Sequence, residues 1–446
     1  MSRVLLINPN WTGISGQQQI QFKRLWQPLC LANSAAMLEK AGHFVRLVDN
    51  NVERIPPKAL GRQAQGFDAV FITSTPYDRW QCPALDIGFF IDSTAFLPKE
   101  RLYIMGAHVT ERPLALLGAT GARAAILGEP EQTIVDIVEN DIPQSGPFAP
   151  INGCAWAEEG LLNKAPQRPW ITNLDGMPCP AFHLLPMSRY HYFPVMGKRF
   201  ALLEASRGCP VGCTFCYLGM YGKKVRRKSP ERFLDEVAFV ARRFGVKNFY
   251  FMDLEFCLSR RFVEAFCLGL INQRIKANWT CQTRVTDIDL PLARLMRQAG
   301  CSLIHFGVES GDEKILAATK KGISIQGAAD AVSACRRAGI RTALFFNFGF
   351  PSETKRQMQK TLELALLLNP TFASFHLVVP FPGTPLAEQT DSNPEAFPPA
   401  LYPQYNAACH SLPALTTMLK KAYLKFYLRP EWVLAFLKDG FKSRGA

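Results

Sequence analysis

RFALLEASRGCPVGCTFCYLG, residues 199–219, joins a short apolar run to a loop with three cysteines. Phe200 to Leu203 read as a strand, and Cys209, Cys213 and Cys216 follow it in a CxxxCxxC array. Five further apolar runs lie downstream: NFYFMD (248–253), NWTCQTR (278–284), SLIHFGVES (302–310), RTALFFNFGF (341–350) and FASFHLVVP (372–380). Segments of helical rhythm separate them. In SPERFLDEVAFVARRFG (229–245), Ser229 can cap, Pro230 suits the first turn, and Phe233, Val237, Val240 and Phe244 form a stripe for a core. Six strand–helix units predict an incomplete parallel barrel with its chemistry on the loops after the strands. The cysteine loop is the first of these.

Upstream, VLLINP (4–9), FVRLVDN (44–50), FDAVFITST (67–75), RLYIMG (101–106) and ARAAILG (122–128) alternate with helix-like segments such as PLCLANSAAMLEKAGH (28–43). That alternation predicts a doubly wound parallel sheet, whose ligands bind beyond the carboxyl ends of its strands. The expected class is therefore α/β: a parallel-sheet domain over 1–140, a Pro- and Gly-rich connector over 141–195, a partial (βα)6 barrel over 196–390 and a short helical tail over 391–446.

The 446 residues are 48% hydrophobic and 20% charged, the balance of a globular chain that can bury a sizeable core. No run of 18 apolar residues occurs, and MSRVLLINPN leads straight into a strand with no signal-like core, so a cytoplasmic location is expected. The thirteen cysteines are scattered, which argues against a disulfide scaffold. A net charge of +14 suits nucleic acid, an acidic membrane surface or an anionic ligand, and cannot choose among them. In the tail, Leu415, Met418, Leu419, Ala422 and Phe426 recur at helical spacing beside basic residues, and WVLAFL (432–437) adds a second apolar patch. This pattern suits peripheral membrane contact or packing against the barrel.

A four-iron cluster normally takes four thiolates, so three clustered ligands leave one iron open, as in catalytic metal sites generally. On spacing alone, a zinc site completed by a distant Cys or His is the alternative, because thiolates suit both metals.

SRGCPVGCTFC, with Phe215 before the last cysteine, resembles the signature of the radical S-adenosylmethionine (SAM) superfamily. The resemblance implies that Cys209, Cys213 and Cys216 hold a 4Fe–4S cluster. The open iron would bind the amino and carboxylate groups of SAM, whose cleavage releases a 5'-deoxyadenosyl radical. Later segments resemble the family's strand-end motifs in order. FMDLEF (251–256) places Asp253 and Glu255 near the methionine amino group or substrate, and TRVTDID places Arg284 on the carboxylate or ribose side. GVESGDEKIL (307–316) places Glu309 and Ser310 near the cofactor. NFGFPSET (347–354), with Gly349, resembles a glycine-rich strand end but carries Ser352 where the family has glycine. Each also has a plainer reading: strand-end acids, a surface ion pair, a helix cap.

The first domain, with GAHVTERP (106–113) and GEPEQT (128–133), resembles the cobalamin-binding domain of one large radical SAM subclass. The signature DxHxxG, which supplies a histidine to cobalt, is absent, so any cobalamin would lack that ligand. The subclass implies methylation of an unreactive carbon in a small-molecule or lipid-like substrate, with a reducing electron donor as partner. Radical cyclisation or rearrangement of the anaerobic porphyrin cyclase type is the alternative. A tRNA methylthiotransferase or a nonenzymatic zinc module explains less: only about 60 residues follow the barrel, no further cysteine cluster marks the first domain, and nucleic acid is not the expected partner.

Overall fold

Val4, Leu5, Leu6 and Ile7 are fully buried, as a continuous apolar run is when it forms the middle of a parallel sheet. They belong to β1 (Arg3–Asn8), which pairs in parallel with β2 (Phe44–Asp49) and β3 (Ala69–Thr73). The structure is a computed structural model that describes residues 1–10, 25–75, 86–141, 146–192, 197–390 and 410–434. β4 (Leu102–Met105) and β5 (Ala124–Ile126) continue the parallel ladder. The helix Leu29–Lys40 makes the crossover from β1 to β2 and buries Leu29, Leu31, Ala32, Ala35 and Leu38.

Two strands that the sequence did not announce extend this sheet, β6 (Cys154–Glu158) and β7 (Leu161–Lys164), both antiparallel, giving the order β2-β1-β3-β4-β5-β6-β7. Their turn places Glu159 at φ 51° and Gly160 at φ 78°, the left-handed pair that a tight hairpin requires. The hairpin lies within the stretch read as a connector. Only Cys154 and Ala155 of its residues are buried, so it has almost no apolar alternation to read.

Beyond a small hairpin of β8 (His191–Tyr192) and β9 (Gly197–Lys198) comes β10 (Phe200–Leu203). β11 (Ser206–Arg207) and β12 (Arg226–Arg227) then pair antiparallel and close the base of the cysteine loop. β13 (Asn248–Phe251), β14 (Asn278–Thr283), β15 (Cys301–Glu309), β16 (Arg341–Phe348) and β17 (Phe372–Leu377) follow. The second sheet runs β10-β13-β14-β15-β16-β17, in chain order, as a six-unit partial barrel must. The expected helix forms over Pro230–Phe244: Ser229 Oγ accepts from Arg232 N, and Phe233, Val237 and Val240 are buried.

The chain divides into two compact units, interleaved along the sequence. One comprises Met1–Pro210, Cys216–Tyr250 and Phe381–Pro403, the other Val211–Phe215, Phe251–Pro380 and Gln404–Ala446. In the second unit the helix Leu412–Tyr427 packs on β17. Tyr423 Oη accepts from Phe375 N and donates to Phe375 O (3.2 and 3.1 Å), and Tyr427 Oη does the same with Ala373 (3.1 and 2.7 Å). Two tyrosine hydroxyls thus cover backbone groups that an edge strand would otherwise leave exposed. Leu415, Leu419, Ala422 and Phe426 are buried, each large apolar side chain contributing about 1.5–3 kcal/mol. Four of the five residues of the stripe that suggested membrane contact therefore face the protein, and Met418 is half-buried. Residues 435–437 of WVLAFL lie outside the described residues. Among the described residues no helix is long and apolar enough to cross a membrane.

Candidate functional site

In the first unit, the limb of the loop that carries Cys209 is tightly determined. Gly208 has φ +86°, and a Cβ on it would lie 2.3 Å from Lys224 O, so only glycine fits between β11 and β12. Cys209 N donates to Gly222 O at 3.3 Å, and Cys209 is buried. Cys216, on the returning limb, is half-buried. The loop's far end packs against the helix Ala107–Glu111: Thr110 Oγ1 donates to Met220 Sδ at 3.5 Å.

In the second unit, Thr214 N donates to Thr319 O at 3.0 Å, and the Phe215 ring stands edge-on to Phe350 at 5.8 Å, which fixes the segment that bears half-buried Cys213. Nearby is a buried ion pair. Lys321 Nζ lies 2.5 Å from Glu309 Oε1, and Asn347 Nδ2 donates to Glu309 Oε2. Burial works against a charge on Lys321, but Glu309, the Cys213 thiol and Glu255 outweigh it and hold the ammonium above the ordinary lysine value. Glu255 is pushed up to about 7, chiefly by burial and partly offset by Lys321 and Arg284. Glu255 Oε2 and Arg284 Nε are buried without a hydrogen-bond partner among the described residues, although Arg284 Nη2 reaches Asp287 Oδ1 at 3.2 Å. Such atoms await a polar ligand or lose free energy.

The other strand-end residues divide by role. Asp253 is buried two residues beyond β13. Glu309 sits at φ +69°, an unfavourable backbone for a residue with a side chain, which turns its carboxylate onto Lys321. Ser310 is engaged in the turn: its Oγ is 3.2 Å from Thr361 Oγ1 and accepts from Asp312 N. Gly349, at φ +87°, donates its N–H to Glu353 Oε2 at 2.6 Å. Ser352 has φ +62°, the conformation that makes glycine the family's choice there.

Ser74, Thr75, Gly106 and Ala107 are small residues at the carboxyl edge of the first sheet. In the structure they pack on one another. Ala107 N donates to Thr75 Oγ1 at 2.8 Å, and a Cβ on Gly106 would lie 2.6 Å from Ser74 Oγ. His108 is buried, 3.3 Å from Ser74 Oγ and edge-on to Phe381, so it is engaged within the protein. Trp11 of NPNW (8–11) and residues 76–80 of STPYDRW (74–80), which follow β1 and β3, lie outside the described residues.

The sequence pattern of the Radical SAM superfamily matches residues 203–365, from the end of β10 into the helix after β16. This stretch is a radical SAM domain. Over 433 residues it is 29% identical to an uncharacterized methyltransferase of Pyrococcus horikoshii, covering 94% of this chain and 91% of that protein. Over 412 residues it is 28% identical to the anaerobic magnesium-protoporphyrin IX monomethyl ester cyclase of Rubrivivax gelatinosus, covering 89% and 71%. Its fold is similar to that of the radical SAM methyltransferase TsrM from Kitasatospora setae, solved with cobalamin and a [4Fe-4S] cluster bound (TM-score 0.69, 19% identity, 87% and 75% covered). It is also similar in fold to the cobalamin-dependent SAM radical enzyme OxsB with aqua-cobalamin bound (TM-score 0.72, 16% identity, 92% and 65% covered).

The donor set fits a 4Fe–4S cluster: Cys209, Cys213 and Cys216 are thiols outside any disulfide, on one short loop. The sequence reading missed Lys321 and Asn347. Lys321 looks like any surface lysine in ATKKGIS, and only the fold buries it beside Glu309. One signal was available: Gly307 of GVES needs a reason, and a Cβ there would lie 2.1 Å from Lys321 Nζ.

Proposed function

We propose that the protein is a cobalamin-dependent radical SAM methyltransferase that methylates an unreactive carbon of a small-molecule or lipid-like substrate. The observation that carries the SAM site is the buried Lys321–Glu309 pair beside Cys213, with Glu255 Oε2, unpartnered among the described residues, close to the same lysine. A cation and a carboxylate held side by side match the carboxylate and ammonium of an amino acid by charge-assisted hydrogen bonds. Cys209, Cys213 and Cys216 would hold the cluster. When bound, the cluster supplies the electron that breaks a carbon–sulfur bond of SAM, and cobalamin supplies a carrier for its methyl group.

The chain's own residues do the rest. Lys321 stays protonated and offers a fixed positive charge, and Glu309 and Asn347 hold it in place. Glu255, ionised above about pH 7, would accept from the ammonium of SAM. Phe215 and Phe350 give the loop an apolar flank that keeps water away. Cobalamin would be held by the loops at the carboxyl edge of the first sheet, where the DxHxxG histidine is absent and His108 is engaged with Ser74.

The relationship to the Rubrivivax cyclase supports a second reading, radical cyclisation. One experiment separates them. Anaerobically reconstituted enzyme is given cobalamin, SAM labelled in its methyl group and a small-molecule extract of its own cells. Label in a product supports methyl transfer, whereas 5'-deoxyadenosine with a changed but unlabelled product would assign a cyclase or rearrangement enzyme instead.

A further inference from the structure

Arg207 lies two residues before Cys209, and its side chain has no exposed surface. A buried guanidinium is costly unless its donors are matched, and here three carboxylates surround it. Its Nη2 lies 2.5 Å from Glu131 Oε1 and 2.5 Å from Glu204 Oε1, and its Nη1 lies 3.4 Å from Glu129 Oε1. Glu129 also takes Arg226 Nη1 at 2.6 Å, on the opposing strand of the ladder that closes the cysteine loop. The two guanidinium groups lie over Tyr221 and Trp170, at 4.9 and 5.5 Å from the ring centroids. Both strands at the base of the loop are thus clamped by two carboxylates from GEPEQT, the turn after β5 of the first sheet.

Ion pairs with this much desolvation are weak devices for stability but can specify one geometry. The geometry specified here is the Gly208 turn, where the backbone has no latitude, and through it the direction of Cys209. We propose that Glu129 and Glu131 are positioning residues for the iron–sulfur cluster, acting through Arg207 and Arg226 on the limb of the loop that carries Cys209. The proposal rests on the cluster reading given above. It makes the first domain a structural part of the cluster site, and GEPEQT a clamp rather than a cofactor contact.

The test uses the full chain, reconstituted anaerobically with iron and sulfide. Two quantities are read: the rate at which a chelator strips iron, and the paramagnetic resonance spectrum of the reduced cluster with and without SAM. Outer partners of metal ligands typically contribute 10–100-fold in affinity, so Glu131→Gln and Arg207→Lys should lose iron about tenfold faster, with an altered spectrum. Asp136→Asn is the control: it breaks the ion pair to Arg168 from the same helix as Glu131 without touching Arg207, and should behave as wild type. Should Glu131→Gln fail to fold, Glu129→Gln carries the same expectation: it breaks the ion pair to Arg226 on the opposing strand, while Arg207 keeps Glu131 and Glu204 so that the buried charge stays matched. Folded variants with wild-type iron loss and spectrum would overturn the proposal, as would a control that changes equally. A wild-type protein that takes up no cluster would overturn the cluster reading itself, and the clamp with it.

Discussion

Lys321 Nζ and Glu309 Oε1 are 2.5 Å apart in the interior of the barrel unit, and the strand that carries Glu309 has a glycine two residues earlier because the pair occupies the space of a side chain there. Removing the lysine leaves Glu309 buried without its cation, with Asn347 still donating to Oε2. Breaking one partner of a buried pair costs about 3–5 kcal/mol. Lys321→Met should therefore lower the unfolding free energy by that amount in denaturant titrations and abolish SAM binding. Lys321→Arg should recover much of the stability.

Gly307→Ala asks a finer question. The added Cβ would lie 2.1 Å from Lys321 Nζ and 2.3 Å from Glu309 Oε1, both at the ends of flexible side chains. The pair can move aside without unfolding the barrel. Thermal stability should change little, while SAM affinity measured by calorimetry falls about tenfold, or roughly 1.4 kcal/mol. Unchanged affinity would remove Lys321 from the site.

The pH dependence has a definite sign. Burial raises Glu255 and Glu353 from 4.5 to about 7, so between these values the native state keeps protons that the unfolded chain has released. Stability then falls as pH rises through that window, because the unfolded state binds fewer protons. Glu255→Gln and Glu353→Gln should each flatten the fall in unfolding free energy between about pH 4.5 and 7. SAM affinity in the wild type runs the opposite way, weakening below pH 7 as Glu255 is neutralised, and Glu255→Gln should lose that dependence.

Ser352 holds a left-handed backbone at φ +62°. Ser352→Gly should raise stability by up to about 1 kcal/mol, the relief of that strain less the extra freedom of glycine in the unfolded chain. A rise in Tm measures it.

Tyr423→Phe with Tyr427→Phe removes both hydroxyls from the backbone of β17. The expected loss is about 2–6 kcal/mol, since four hydrogen bonds go and each contributes about 0.5–1.5 kcal/mol, and the opened strand edge should make the variant prone to self-association. Scattering and denaturant midpoints check the two effects.

Much of the architecture was legible because its signals are local. Each expected barrel strand is present within a few residues, since buried parallel strands are near-continuous apolar runs, and Ser229 caps its helix as its position suggested. The β6–β7 hairpin was not legible, because an edge hairpin that buries only two residues leaves no period to follow. Ser310 was read as a cofactor neighbour from its motif, yet its hydroxyl engages Thr361, fifty-one residues away.

By itself the sequence determined the class of fold and the three candidate thiolates, because apolar periodicity and ligand spacing are properties of neighbours along the chain. It could not determine that Lys321 would be buried beside Glu309, or that Glu129 and Glu131 would enclose Arg207 seventy-six or more residues later. A charge signals nothing locally about burial or pairing. Only the tertiary structure brings distant charges together, and desolvation there turns ordinary lysines, arginines and glutamates into a site.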